Sequence, residues 1–259
     1  MKSPARNKLM SLSSGYLMPQ LGLGTYQGAS GADFSFVDGI ITDAIDIGYR
    51  HFDTAQVYFN QKPIGRAIQR AILERKVTRD ELFVTSKIWP NNMSFPRALN
   101  AVHEILTQLR LDYLDLCLIH WPTAVKQGDN YDPQENDGNR DWSDVDYMET
   151  WQALENEVKL KRVRSIGLSN FNSQQIQRVI NEGKIKPSVV QVECHPYLNQ
   201  NKLIDYCRAR DVVVVAYSPF ANPSDRSVCR IFDKYNIFKE QKLIEIAEDY
   251  KKVRSLSYF

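Results

Sequence analysis

Asp53, Tyr58, Lys87 and His120 are the side chains best suited to chemistry. Asp53 closes the run Tyr49-Arg-His-Phe-Asp53, Lys87 closes Leu82-Phe-Val-Thr-Ser-Lys87, and His120 closes Asp112-Tyr-Leu-Asp-Leu-Cys-Leu-Ile-His120. Tyr58 follows Asp53 by five positions, so the two face one site only if the chain turns between them. A free phenol ionises near pH ~10, too high for efficient proton donation at neutral pH. An ammonium beside it favours the phenolate and lowers that value. A carboxylate beside the ammonium keeps it charged and oriented, and a neutral imidazole can hold a substrate oxygen. The four groups together suit protonation of a carbonyl oxygen while its carbon is attacked. None of them is a hydride source, so a reduction needs a cofactor. Each residue also has a plainer reading. A tyrosine after a strand is usually structural, Lys87 and Asp53 could form a framework ion pair, and His120 could be a packed core histidine. Their joint occurrence at strand ends favours a shared site at the carboxyl edge of a parallel sheet.

Three later stretches add groups of a second kind. Ser169-Asn170 ends one strand-like run, Gln191 lies in the next, and Tyr217-Ser-Pro-Phe220 ends the one after. A planar ring such as nicotinamide needs an aromatic face, which Tyr217 could supply, and amide partners at its edge, which Asn170 and Gln191 could supply. The alternative for Ser169 and Asn170 is a helix N-cap. His195 precedes Pro196 and reads as structural, with no acidic partner suggested. Tyr26, Trp89 and Trp121 lie just past strand ends, where aromatic rings would line a cavity for an apolar substrate. Residues 122–145 form a long, polar loop whose composition suggests mobility. No metal site is expected.

The elements that must position these groups are legible as an alternation. Residues 8–19 read as a hairpin turning at Ser14-Gly15, and Leu21-Gly-Leu-Gly24 as a short strand. Val37, Ile40, Ile41, Ala44 and Ile45 fall on one helical face, and Gly48 is placed to end that helix. Strands over 49–53, 82–87, 112–119, 163–169, 189–193 and 212–217 then alternate with helices near 62–75, 95–109, 146–160, 173–182, 199–209 and 240–251. Such alternation predicts a parallel sheet with helices packed on it. The glycine-rich turn of a doubly wound sheet fails here, because Gly22-Leu-Gly24-Thr-Tyr-Gln27 has glutamine where the third glycine is needed. Reactive groups spread over several strand ends favour a (β/α)8 barrel. Closure needs an eighth strand, for which only Ser255-Leu-Ser-Tyr-Phe259 is available. The expected fold is an α/β (β/α)8 TIM barrel with an N-terminal hairpin. It lacks most or all of the eighth βα unit, so the first and seventh strands keep unpaired edges and the chain is expected to be unstable.

The totals exclude several classes. The 259 residues suffice for one large α/β domain over 1–259, and a net charge of +2 argues for neither a nucleic-acid nor an acidic partner. No apolar run reaches the roughly 20 residues that span a membrane, and Met1-Lys-Ser-Pro-Ala-Arg6 is no signal peptide. Cys117 and Cys194 read as buried free thiols, and Cys207 and Cys229 show no metal-like pairing, which suits a cytoplasmic protein.

Taken in order, seven stretches resemble the aldo-keto reductase superfamily over roughly residues 8 to 252: Met18-Pro-Gln-Leu-Gly-Leu-Gly-Thr25, Tyr49-Arg-His-Phe-Asp-Thr-Ala55, Phe83-Val-Thr-Ser-Lys-Ile-Trp89, Leu118-Ile-His-Trp-Pro122, Ile166-Gly-Leu-Ser-Asn-Phe171, Gln191-Val-Glu-Cys-His-Pro-Tyr197 and Ala216-Tyr-Ser-Pro219. The resemblance implies NADPH-dependent reduction of aldehydes and ketones by a monomer, with NADP(H) as cofactor and a small carbonyl compound as substrate. It places the catalytic tetrad on Asp53, Tyr58, Lys87 and His120. It places cofactor contacts on Thr25, Asp53, Ser169, Asn170, Gln191 and Tyr217, with Ser218 near the pyrophosphate. The sequence departs from that pattern in four places. Tyr26 stands where the family usually has tryptophan, Gln61 where an acid often follows Asn60, and Lys159-Leu-Lys161 where a glycine usually ends a helix. The basic cluster that follows the eighth strand in the family is not found, which implies weak preference for NADPH over NADH. Two classes stay open: a working reductase, or a non-catalytic member that is either a regulatory binding protein or a defective product.

Overall fold

The computed structural model describes residues 8–26, 34, 36–132, 139–221 and 237–251. Leu9–Ser11 (β1) and Leu17–Pro19 (β2) pair antiparallel, and Gly15 supplies the left-handed turn at φ 86°. Strand and helix then alternate: Leu23–Gly24 (β3), Val37–Ile47 (α1), His51–Asp53 (β4), Gln61–Leu73 (α2), Phe83–Ile88 (β5), Phe95–Leu109 (α3) and Leu114–Ile119 (β6). Two short strands, Ala124–Val125 (β7) and Trp142–Ser143 (β8), precede Tyr147–Lys159 (α4) and Val163–Ser169 (β9). The order closes with Ser173–Glu182 (α5), Val189–Glu193 (β10), Asn201–Arg208 (α6), Val213–Tyr217 (β11) and Gln241–Asp249 (α7).

Seven strands form one parallel sheet in the order β3-β4-β5-β6-β9-β10-β11, with helices following the strands. This is the wall of a (β/α)8 barrel, as the alternation predicts. Among the described residues β3 and β11 are not paired with each other. Ser255–Phe259, the expected stand-in for an eighth strand, lies outside the described residues.

Side-chain alternation along the strands sorts the wall into two faces. Phe52, Val84, Ile88, Cys117, Ile119, Ile166, Leu168, Val190 and Val192 point outward into the core beneath the helices. Phe83, Leu116, Leu118 and Val189 point inward and meet Leu12 and Met18 of the hairpin. The hairpin thereby floors the amino end of the barrel. Its loop is fastened by Ser13 Oγ, which donates to Ser188 Oγ at 3.2 Å, and by the Ser14–Ser165 hydroxyl pair at 2.7 Å. Gly167 makes room inside: a Cβ there would stand 2.4 Å from the Val189 carbonyl oxygen and 2.8 Å from Leu118 Cδ2. Gly167→Ala should therefore destabilise the chain by at least ~1–3 kcal/mol. Urea unfolding checks this, and an unchanged midpoint refutes it.

Several boundaries differ from the sequence reading for local reasons. Gly48 ends α1 at φ 104° as expected, but Arg110 and Lys161 take the left-handed conformation after α3 and α4 without being glycine. β3 covers only Leu23–Gly24, and β5 runs one residue past Lys87. Within the loop over 122–145, β7 pairs with β8, and Ala124 and Val125 are buried. Cys194 is only half-buried, whereas Cys117 and Cys207 are buried. Cys229 lies outside the described residues.

Candidate active site

The inward face continues upward from the apolar floor. His51 and Asp53 on β4, Thr85 and Lys87 on β5, Leu118 on β6 and His120 just past its end, Ser169 on β9 and Gln191 on β10 belong to it by the same alternation. His51 still reaches the hairpin, its Nδ1 lying 3.2 Å from the Pro19 carbonyl, whereas Asp53, Lys87, His120, Ser169 and Gln191 gather toward the carboxyl end. Directly after β4 the chain makes a 3-10 turn, Gln56–Tyr58, and Phe59 at φ 54° reverses it. That turn is what brings Tyr58 back over Asp53.

Lys87 is the hub. Its side chain is 1% exposed, and its ammonium donates to Asp53 Oδ1, to the Thr54 carbonyl at 3.0 Å and to the Tyr58 hydroxyl at 3.3 Å. Gln191 Nε2 donates to the other carboxylate oxygen of Asp53 at 2.8 Å, a contact that crosses the barrel interior. The framework ion pair and the site are thus one arrangement. His120 stacks edge-on against Tyr58 at 5.8 Å and against Trp89 at 5.0 Å between ring centres. Tyr26 lies tilted on Tyr58 at 5.1 Å. Trp121 is 42% exposed and stands at the mouth.

The second group also assembles. Asn170 takes φ 65°, which turns its amide back so that Nδ2 donates to the His120 carbonyl at 2.9 Å and to Ser169 Oγ at 3.3 Å. The Tyr217 hydroxyl donates to Asn170 Oδ1 at 2.9 Å. The cap of α5 is Asn172, which forms a reciprocal box with Gln175 and leaves Ser169 and Asn170 free of that task. Thr25 is tied to β4, its N–H and hydroxyl both donating to the Asp53 carbonyl at 3.0 and 2.9 Å. Ser218 follows β11 in a left-handed conformation, φ 47°.

Electrostatics modify one expectation. Burial pushes the Tyr58 phenol above its ordinary value, and the nearby Lys87 ammonium, which pulls the other way, does not overcome it. Lys87 favours the phenolate as predicted, yet the net effect is a phenol that stays neutral. Burial alone would push the Lys87 ammonium down, but Asp53 and Tyr58 outweigh that and hold it up. Burial, and then the Lys87 charge, holds His120 well below the usual imidazole range, so it is neutral at physiological pH. A neutral donor phenol, a fixed cation and a neutral imidazole are therefore concentrated at one point.

One correction concerns His195. It does have an acidic partner: Glu193, two residues earlier, places Oε1 3.1 Å from His195 Nε2, and the Tyr197 N–H donates to Nδ1 at 3.2 Å. Residues i and i+2 of an extended chain share a face, so this pairing was available from spacing. Both ring nitrogens face protein partners, so the residue remains part of the framework.

A family model described as "Aldo/keto reductase family" matches residues 20–253. The chain belongs to that family. "Aldo-keto reductase family 1 member A1" of Xenopus tropicalis is 43% identical over 244 residues, which cover 93% of this chain and 72% of that protein. The human protein of the same description is 43% identical over 241 residues, covering 92% of this chain and 72% of its own length. The solved aldose reductase of Schistosoma japonicum superposes with a TM-score of 0.87 at 34% identity, covering 96% of this chain and 77% of that one. Membership makes the chain an oxidoreductase of the reductase type. Among the described residues of this aldo/keto reductase, no helix is long and apolar enough to cross a membrane, and no group of histidines, cysteines and acids could hold a metal ion.

Two sets of residues in this aldo/keto reductase escaped the sequence reading. Gln56 accepts the Trp89 N–H at 3.0 Å, Trp89 Nε1 donates to the Tyr131 carbonyl at 2.6 Å, and Asn91 Nδ2 donates to the Gly128 carbonyl at 2.7 Å. These bonds fix the tryptophan wall and the start of the long loop. Asn60 and Thr54 form a second set behind Tyr58. Neither set has a signature in residue type, since both depend on burial and on distant partners.

Proposed function

We propose that this chain reduces a small aldehyde or ketone to the alcohol, with reduced NADP as hydride donor and Tyr58 as proton donor. One observation carries the reading: a buried ammonium that touches the Asp53 carboxylate and the Tyr58 phenol together. The substrate oxygen would sit between the Tyr58 hydroxyl and His120, beneath Tyr26, Trp89 and Trp121. Tyr58 gives its proton to that oxygen, the carbon accepts hydride, and Lys87 stabilises the phenolate left behind until solvent returns a proton. Asp53 keeps Lys87 charged, and neutral His120 orients the carbonyl.

The residues present fit a nicotinamide ring and its ribose. Tyr217 offers an aromatic face locked by its bond to Asn170, and Ser169, Asn170 and Gln191 offer amide and hydroxyl edges. Thr25 and Asp53 would hold the ribose and Ser218 the pyrophosphate. When bound, the cofactor supplies the hydride that no side chain here can supply. The setting proposed is cytosolic, supported by the buried free thiols of Cys117 and Cys207, and the monomeric state is proposed from the family resemblance alone. The non-catalytic alternative is disfavoured by the assembled Asp53–Lys87–Tyr58 contact.

The test is NADPH oxidation with a reactive aromatic aldehyde, followed at steady state, with NADH in parallel. Turnover by the intact chain is expected, and inertness toward every carbonyl compound tried would sink the reading. Lys87→Met should slow reduction by about 10²–10³-fold, because the developing phenolate loses its counter-charge. The sign in pH follows. A proton donor works while protonated, so reduction persists below its pKa and is lost as pH rises through it. The high-pH limb should therefore lie above pH 10 in the parent, given a phenol raised from 10.0, and move higher still in Lys87→Met. A limb at or below the ordinary phenol value would contradict the burial argument.

A further inference from the structure

Asn60 lies two residues past Tyr58 and is fully buried, with no part of it able to touch a substrate. Its amide nonetheless makes three bonds. Nδ2 donates to the Thr25 carbonyl at 2.6 Å and to Thr25 Oγ1 at 3.2 Å, and Oδ1 accepts the Thr54 hydroxyl at 2.7 Å. Both partners lead straight back to the reacting groups. Thr25 donates twice to the Asp53 carbonyl, and the Thr54 carbonyl is one of the acceptors that hold the Lys87 ammonium. Thr25 also carries Tyr26, whose ring lies on that of Tyr58. Asn60 therefore closes a ring of hydrogen bonds through Thr25, Asp53 and Thr54. That ring staples the segment 53–60 to the end of β3, the strand at the edge of the sheet.

The staple fixes a soft geometry. Tyr58 stands on a short 3-10 turn reversed by left-handed Phe59, and α2 starts at the next residue after Asn60 with no side-chain cap. Nothing in that turn's own backbone bonds sets the Tyr58–Lys87 distance to a few tenths of an ångström. The amide suits the task because it donates on one side and accepts on the other. A carboxylate would lose the donor toward the Thr25 carbonyl, and an aliphatic side chain would lose both arms.

We propose that Asn60 is a positioning residue, acting through Thr25 and Thr54 to hold Tyr58 and Lys87 at hydrogen-bond distance. This rests on the reduction reading above. A misplacement on the order of 1 Å can cost about 10²-fold in rate. Asn60→Leu should therefore lower kcat by about 10- to 100-fold, with carbonyl KM changed less than about 2-fold. Released from Lys87 but still buried, Tyr58 should also titrate higher, so the high-pH limb of kcat should move up.

Three measurements keep the outcomes apart. Thr54→Val removes a single bond to Asn60, and should give a smaller loss of the same kind if Asn60→Leu does not fold. The tyrosine 13Cζ resonance of Tyr58, assigned by its loss in Tyr58→Phe, reports the ammonium hydrogen bond without any turnover and should shift in both variants. Should the parent chain reduce no carbonyl compound, the reduction reading fails, and the proposal is decided by that resonance alone. Folded variants that keep parental kcat, pH limb and Tyr58 resonance overturn it. So does a loss confined to KM or to dinucleotide binding.

Discussion

Replacing Tyr58 by phenylalanine should lower carbonyl reduction by about 10²- to 10⁴-fold while leaving the fold intact. That is about 3–5 kcal/mol of transition-state stabilisation, all of it from one hydroxyl. The ring contacts survive the change: Tyr26 at 5.1 Å, His120 at 5.8 Å, and the Lys87 ammonium 4.9 Å from the ring centre. Lys87 loses a single acceptor and keeps Asp53 and the Thr54 carbonyl. Dinucleotide binding, followed by tryptophan fluorescence, should therefore match the parent, and kcat alone should fall. Retained turnover would show that another group, such as the adjacent Lys87 ammonium, supplies the proton.

The largest effect on stability is expected at Trp151. Among the described residues it is the bulkiest fully buried side chain, lying on α4 in the core beneath the helices. Its indole Nε1 donates to the Ile185 carbonyl at 3.2 Å, and the ring lies so close to Gly183 that a Cβ there would fall 2.6 Å from Nε1. Trp151→Ala should cost about 3–5 kcal/mol, from a total that for most domains is about 5–15 kcal/mol. For a chain of this size the midpoint of thermal unfolding should drop on the order of 10 °C. Trp151→Phe should lose less, because much of the volume stays and only the hydrogen bond and part of the ring go. Circular dichroism melts of the two variants beside the parent decide it. Equal melting temperatures for Trp151→Ala and the parent would mean that the surrounding helices close over the gap.

How far the sequence could be read follows from which forces act locally. The strand–helix alternation, the hairpin and the inward set Asp53, Lys87, His120, Ser169 and Gln191 were legible, because two-residue and 3.6-residue periodicities reflect burial directly. The turn after β4 was required by chemistry before it was seen. What escaped depends on distance in space. The Asn60 amide meets Thr25 from 35 positions away, and Gln191 reaches Asp53 across 138. The ends of α3 and α4 were legible to within a residue, but the left-handed caps at Arg110 and Lys161 were not, because no glycine marks them. The Tyr58 phenol was misjudged as well. A neighbouring charge can be read from residue types, whereas the depth of burial that outweighs it cannot.

The two halves of the site stand on unequal ground. Asp53, Lys87 and His120 rise from β4, β5 and the end of β6, and β5 and β6 are flanked by strands on both sides. Tyr217 rises from β11, an end of the sheet among the described residues, whose valines are only partly buried. Strands at such an end open at lower free energy than those inside. Warming or mild denaturant should thus erode Tyr217 and β11, the proposed ring cradle, before it disturbs Asp53, Lys87 and His120. A molecule that spans the cradle and the Asp53–Gln191 strut would draw β10 and β11 toward the rigid side, and its binding would appear as protection of those backbone amides from exchange with solvent.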